Sequence, residues 1–275
     1  MTEQERRRRL GLATVLDLKP RGFFLPYRHA DAAVAVPPYP AVEAAFAAAD
    51  FAPVLQAIDG VGDALQAIAA DAPAPQPRWN QDWFPRLDAA AAYALVRSRK
   101  PARIVEVGSG HSTRFLARAV ADGGLATTLT AIDPAPRATL DGLPVTWRRE
   151  LVQATPLALF QGLAAGDMLF IDSSHLLMPG SDVDHLVNRV LPALPAGVLV
   201  HVHDVFLPDD YPDAWRWRGY NEQLALPALI LGGYRPVFAS RYAVTRMAER
   251  LAQSVVARLP LADGAFETSL WLEKR

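Results

Sequence analysis

The chain of 275 residues contains no cysteine. That removes disulfide staples and thiolate metal sites and leaves the redox compartment open. A dominant charge sign is missing too: 28 Lys and Arg stand against 29 Asp and Glu, a formal net charge of −1. No overall field draws in nucleic acid, so a small-molecule substrate is the expected partner. No apolar run reaches membrane-spanning length, and the charged start from Met1 to Arg9 has no signal-peptide core behind it. A soluble, cytoplasmic protein without membrane or nucleic-acid partners is expected.

About half of the residues are apolar, enough for one large core plus an extension. The stretch that organises the rest is Arg103-Ile-Val-Glu-Val-Gly-Ser-Gly-His-Ser-Thr-Arg-Phe-Leu-Ala-Arg118. It reads as a buried strand, a tight turn at Gly108-Ser109-Gly110 and an amphipathic helix carrying Phe115, Leu116 and Ala119. Glycine allows positive φ and close approach of a ligand, and Ser112 and Thr113 add hydroxyls where the first helical N–H groups lack partners. A second strand, Thr128 to Ile132, ends at Asp133, where a carboxylate can bind both hydroxyls of a ribose.

Glu106-Val-Gly-Ser-Gly110 followed by Ala131-Ile-Asp-Pro134 resembles the cofactor motif of class I S-adenosylmethionine-dependent methyltransferases, in the branch labelled methyltransferase domain family 24. The resemblance implies S-adenosyl-L-methionine as cofactor. Gly108, Ser109, Gly110, Ser112 and Thr113 would lie along it, Glu106 would support the turn and the methionine amine, Asp133 would hold the ribose, and Asp172 would stand beside it. It also implies a Rossmann-like α/β fold with a seven-stranded, mostly parallel sheet and an antiparallel last strand. A dinucleotide fingerprint fits less well, because Thr113 stands where its third small residue belongs.

In chain order, Thr2 and Glu5 have capping-box spacing ahead of Arg6 to Arg9, which reads as a solvated helix face. Pro20 to Pro40, with Phe23, Phe24, Tyr27 and Tyr39, reads as an ordered aromatic loop placed to cover something. Val36-Pro-Pro-Tyr39 reads as a proline-fixed turn. Val42 to Ala70 suggests two or three short helices, and Pro73, Pro75 and Pro77 a stiff linker. Arg78-Trp-Asn-Gln-Asp-Trp-Phe84 then either pins the extension to the main domain or lines a pocket. Residues 1–80 are thus expected to be a helical, aromatic extension or lid, and 81–275 the methyltransferase domain. A homodimer packed through the extension stays open.

Strands and helices alternate from residue 103 onward. After Leu87 to Arg97, a helix, and the first two strands, further strands are expected at Val145 to Arg149, Asp167 to Asp172, Gly197 to His203, Tyr234 to Tyr242 and Phe266 to Leu272. Helices are expected at Pro156 to Leu163, after Ser181, at Asn221 to Leu231 and at Thr245 to Leu259.

Ligands in such a sheet sit beyond the carboxyl ends of the strands, where Asp172-Ser-Ser-His175 and His201-Val-His-Asp204 fall. Transfer to an alcohol or phenol needs the acceptor aligned and its proton removed. His175 or His203 can serve as general base at an ordinary pKa near 6.5. Alternatively Asp172, His203 and Asp204 bind a divalent cation that acidifies the hydroxyl, as the resemblance to metal-dependent O-methyltransferases implies for Asp172 and Asp204. Asp172, His175, His203 and Asp204 are therefore the candidate catalytic group. His201, alternating with His203, is a candidate core histidine. A binding protein that keeps the pocket without transfer is the alternative.

Overall fold

The computed structural model describes residues 1–16, 18, 22, 27–136 and 138–275. Phe23 and Phe24 lie outside the described residues; of the other loop aromatics, Tyr27 is exposed and Tyr39 donates its N–H to the Pro208 carbonyl at 2.9 Å. The chain opens with α1 (Glu3–Val15), held by a complete Thr2/Glu5 capping box. Three short helices follow, α2 (Pro40–Ala48), α3 (Ala52–Gly60) and α4 (Gly62–Gln66). Their apolar faces are not free-standing: Phe51 packs edge-on against Phe238 and Tyr242 of the sheet side.

Next comes α5 (Arg86–Arg99), whose Ala89 to Ala92 are wholly buried. Glu267 closes its first turn, accepting from the Leu87 N–H at 2.7 Å while pairing with Arg86. Then come β1 (Arg103–Val107), α6 (His111–Asp122), β2 (Thr128–Ile132), β3 (Val145–Arg148), α7 (Ala158–Gln161) and β4 (Met168–Ile171). A helical run, α8 (Asp182–His185), a π turn and α9 (Leu191–Ala193), leads to β5 (Leu199–Val202). Next are α10 (Leu226–Gly232), β6 (Tyr234–Ala239), α11 (Ser240–Arg246), α12 (Ala248–Ala252) and β7 (Leu270–Lys274).

Among the described residues seven strands form one sheet in the order β3-β2-β1-β4-β5-β7-β6. The first five run parallel, and β7 inserts antiparallel between β5 and β6. Both faces are covered by helices, so the central strands read as unbroken apolar runs such as Met168-Leu-Phe-Ile171, all buried. Because β1 pairs with β2 on one side and β4 on the other, its connections leave in opposite directions and a crevice opens at the strands' carboxyl ends.

The expected α/β sheet with an antiparallel last strand is therefore present. Three boundaries differ for tertiary reasons. The last strand pairs only from Leu270, because the Thr268 and Ser269 N–H groups donate to Asp88 instead of a ladder partner. The sixth ends at Ala239, where α11 begins. The helix expected over Thr245 to Leu259 is broken at Ser254, which bonds Asp59 on α3 and caps a separate 3-10 turn. No single helix among the described residues is long and apolar enough to cross a membrane.

Candidate active site

The turn after β1 is built by backbone constraint. Gly108 has φ +78°, and a side-chain carbon there would fall 1.9 Å from the Asp172 carbonyl oxygen. Only glycine lets the tips of β1 and β4 close to this distance. Beneath the turn Glu106, fully buried, accepts from Ser112 and Thr113 hydroxyls, each at 2.6 Å. Burial raises its carboxyl to about 8, with Asp172 and Asp133 adding to the rise against the two hydroxyl bonds. Glu106 is thus a protonated post under the turn at neutral pH. Thr113, also fully buried, supports the turn from inside.

Asp133 stands one strand over, as expected, but it is already engaged. One oxygen accepts from Ser109 N–H and Oγ at 2.8 and 2.9 Å, the other from Ala135 N–H at 2.8 Å. A carboxylate offers about four lone-pair sites, so gripping two ribose hydroxyls requires the Ser109 hydroxyl to swing away.

Beyond β4 and β5 the structure brings all four catalytic candidates together. His175 Nε2 lies 3.3 Å from Asp172 Oδ1 and 3.4 Å from Asp204 Oδ2. His203 Nδ1 lies 3.6 and 3.5 Å from the same two carboxylates. Two further acids, unassigned from sequence, complete the cluster: Glu222 meets His175 Nδ1 at 2.9 Å and Asp88 meets His203 Nε2 at 3.3 Å. Each ring therefore has a carboxylate behind it and two in front. His175 and Asp204 have φ of 61° and 55°, left-handed values that cost a side-chain-bearing residue free energy and that cluster at functional sites. The His175 carbonyl accepts from Asn221 and Glu222 N–H groups, which pins the loop in this shape.

Electrostatics follow from that crowding. Burial opposes charge on His175, but the Asp204 charge and the bonds to Asp172 and Glu222 lift it well above 6.5. His203 is lifted likewise by Asp204, Asp172 and Asp88 against its burial. Burial would raise Asp172, yet the two rings hold it well below the usual carboxylate range. The surrounding carboxylates thus favour the imidazolium form of both rings over the neutral base near 6.5 expected from sequence. His201 behaves differently. It is fully buried, stacks on Phe170 with centroids 3.6 Å apart, bonds Ser269 at 2.7 Å and is pushed well below 6.5, a core histidine.

The cation expected at Asp172, His203 and Asp204 does not fit this donor set. Each ring nitrogen of His175 and His203 already faces a carboxylate, and among the described residues no group of three or more His, Asp or Glu is arranged to hold a metal.

Cluster and turn share one cavity of about 1140 Å³. The aromatic segment before α5 divides: Trp79 and Phe84 are buried against Phe115, while Trp83, half exposed, lines the cavity. Both sequence readings of that segment therefore apply, and Phe84 also borders the cavity. Residues 105–205, from β1 through the acid after β5, match the sequence pattern of the family described as methyltransferase domain. Residues 105–205 form a methyltransferase domain. The match spans β1 to the loop after β5, the part of the sheet whose carboxyl ends carry the glycine turn and the histidine cluster.

Among solved structures the chain is similar to the SAH-bound methyltransferase PaMTH1 of Podospora anserina, at 18% identity over 92% of this chain and 99% of that one, TM-score 0.40. It is also similar to the O-methyltransferase of Bacillus cereus in complex with SAH, at 14% identity over 81% and 91%, TM-score 0.40. A third is the O-methyltransferase TomG of Streptomyces achromogenes, involved in tomaymycin synthesis and in complex with SAM, at 17% over 85% and 94%, TM-score 0.37. Among curated proteins no relative matches.

Glu222 and Asp88 were missed for different reasons. Glu222 lies in the polar segment Tyr220-Asn-Glu-Gln223 but has no motif spacing to His175. Asp88 reads as an ordinary acid in a helix's first turn.

Proposed function

We propose that the methyltransferase domain transfers a methyl group to a hydroxyl oxygen of a small-molecule acceptor, with the His175 and His203 cluster assisting proton removal. The observation that carries this reading is His175 Nε2 held between Asp172 and Asp204 in the same cavity as the Gly108 turn. S-adenosylmethionine, when bound, supplies the activated methyl. Residues present fit it: the Ser109–Gly110 turn is open on the cavity side, with nothing closer than 4.0 Å to a carbon placed on Gly110, and Asp133 retains an acceptor site. Gly108, Ser109, Gly110, Ser112 and Asp133 would hold it, with Asp172 beside it. The cavity exceeds the roughly 300–1,000 Å³ of a usual single-ligand site, which suits cofactor and acceptor together.

In the protein's part of the chemistry, imidazolium His175 directs its Nε2–H into the cavity and favours the acceptor oxygen as an anion. Asp204 receives the acceptor proton, and His203, backed by Asp88, keeps the Asp172 and Asp204 carboxylates oriented. No step uses a metal. Residues 1–80 act as a cover, since Glu3, Arg7 and Leu10 of α1 line the cavity mouth, and residues 81–275 carry the reaction.

Calorimetry with S-adenosylhomocysteine tests the cofactor assignment, and absence of heat refutes it. With an acceptor in hand, alanine at Asp172, His175, His203 or Asp204 separates an enzyme from a binding protein: turnover unchanged in all four variants rejects the catalytic assignment.

A further inference from the structure

The outer half of the cavity differs in chemistry from the inner half. Inside, carboxylates outnumber the cations; at the mouth, Arg7 of α1 and Arg218 face each other across Trp217 and Tyr220. Arg7 Nη1 donates to the Arg218 carbonyl, which brings two guanidinium groups onto one small patch of ring surface. The Arg218 guanidinium lies over Trp215 at 4.2 Å and donates from Nη1 to the Tyr220 hydroxyl at 3.1 Å. Stacking occupies the face of a guanidinium and leaves its N–H edge for an acceptor.

That edge is only partly satisfied within the protein. Arg218 Nε is buried without a hydrogen-bond partner, and no carboxylate of a described residue pairs with Arg218. Among carboxylates of the described residues Arg7 meets Glu3 at 3.9 Å, on a side chain that is itself about half exposed. A buried guanidinium nitrogen left unpaired costs free energy, and an anion arriving in the cavity removes that cost. Tyr220 links this patch to the reacting end: its hydroxyl takes Arg218 while its ring lies 4.5 Å from the His175 ring. Tyr220 thus joins the anion subsite to His175, and Trp217 lines the same cavity as a second flat surface.

We propose that the acceptor is a hydroxylated aromatic acid, its carboxylate held by Arg218 and Arg7 and its hydroxyl presented to His175. This deepens the methyltransferase reading and rests on it. A carboxylate matches the planar fork of Arg218 by two parallel bonds, and a ring between two aromatic walls is held at low entropic cost.

The test uses the full chain and two isosteric probes, 4-hydroxybenzoate and 4-hydroxybenzamide, titrated while following tryptophan fluorescence from Trp215 and Trp217. The acid is expected to bind at least about tenfold more tightly than the amide, a charge-assisted pair being stronger than a neutral one. Arg218→Gln and Arg7→Gln are expected to erase that preference, and Arg218→Lys to keep part of it, which guards against a folding defect in the Gln variant. Arg7 is on a surface helix, so its replacement leaves the core intact. Equal binding of acid and amide, no binding of either, or a preference that survives Arg218→Gln overturns the proposal. S-adenosylhomocysteine affinity, measured in parallel, is expected to stay within about twofold in these variants. Its absence in the wild type sinks the methyltransferase reading instead, so the two failures are told apart.

Discussion

Glu106→Gln isolates a buried acid whose carboxyl is pushed far up by burial. Glu106 is fully buried under the Gly108 turn with a carboxyl raised to about 8 from 4.5. The folded chain holds its proton more tightly than the unfolded chain. Its contribution to stability is therefore whole below about 4.5 and is lost progressively until pH passes about 8. The gap between those values is about 3.5 pH units, which at about 1.4 kcal/mol per unit makes a loss of about 5 kcal/mol, with about 3 kcal/mol of it already present at pH 7. Glutamine has the shape of the protonated acid, one donor end and one acceptor end facing Ser112 and Thr113, and it does not titrate. Urea unfolding from pH 4 to pH 9 would be run on both proteins. Subtracting one stability curve from the other cancels the histidines, whose raised values also withdraw stability at high pH. The wild type is expected to lose ground to the variant by roughly 1 kcal/mol or more per unit between about 5 and 8. A difference that stays flat across this window refutes a neutral Glu106, and with it the claim that the turn sits on an uncharged post.

Glu222→Gln removes a carboxylate 2.9 Å from His175 Nδ1. It is expected to move the basic limb of the kcat/KM profile down by about one pH unit or more, and to lower kcat with KM for S-adenosylmethionine unchanged; a purely structural role would leave the limb in place. Gly108→Ala forces a side chain against the Asp172 carbonyl at positive φ, so S-adenosylhomocysteine binding should vanish and thermal unfolding shift down by several degrees. Retention of both would mean that β1 and β4 are not closed as described. Incubation with EDTA is expected to leave turnover within about twofold, given that every ring nitrogen of the histidine pair faces a carboxylate. Loss of activity restored by a divalent cation would reverse that assignment.

The local signals in the sequence were strong wherever one segment carries its own reason to fold. An apolar run with no breaker, followed by two glycines and a 3.6-residue apolar period, has few ways to fold other than strand, turn and helix. Thr128 to Ile132 matches β2 to the residue, and Thr2 with Glu5 caps α1 as their spacing requires. Asp172, His175, His203 and Asp204 could be placed at one end of the sheet because parallel strands present their carboxyl ends together.

What those residues are was decided by distant parts of the chain. A histidine's charge depends on its neighbours within a few ångströms, and Asp88 and Glu222 reach the pair from 115 and 47 residues away. No periodicity encodes such approaches. Composition likewise cannot show that Arg7, in a run that reads as a solvated face, lies over Trp217 at the cavity mouth. Sequence by itself determined the sheet, the glycine turn and which acids and histidines gather at its rim, since these follow from local pattern. Only the tertiary structure decided that the rings are charged, that Glu106 is neutral and that His201 belongs to the core, because burial and the sign of the nearest charge are properties of the packed chain.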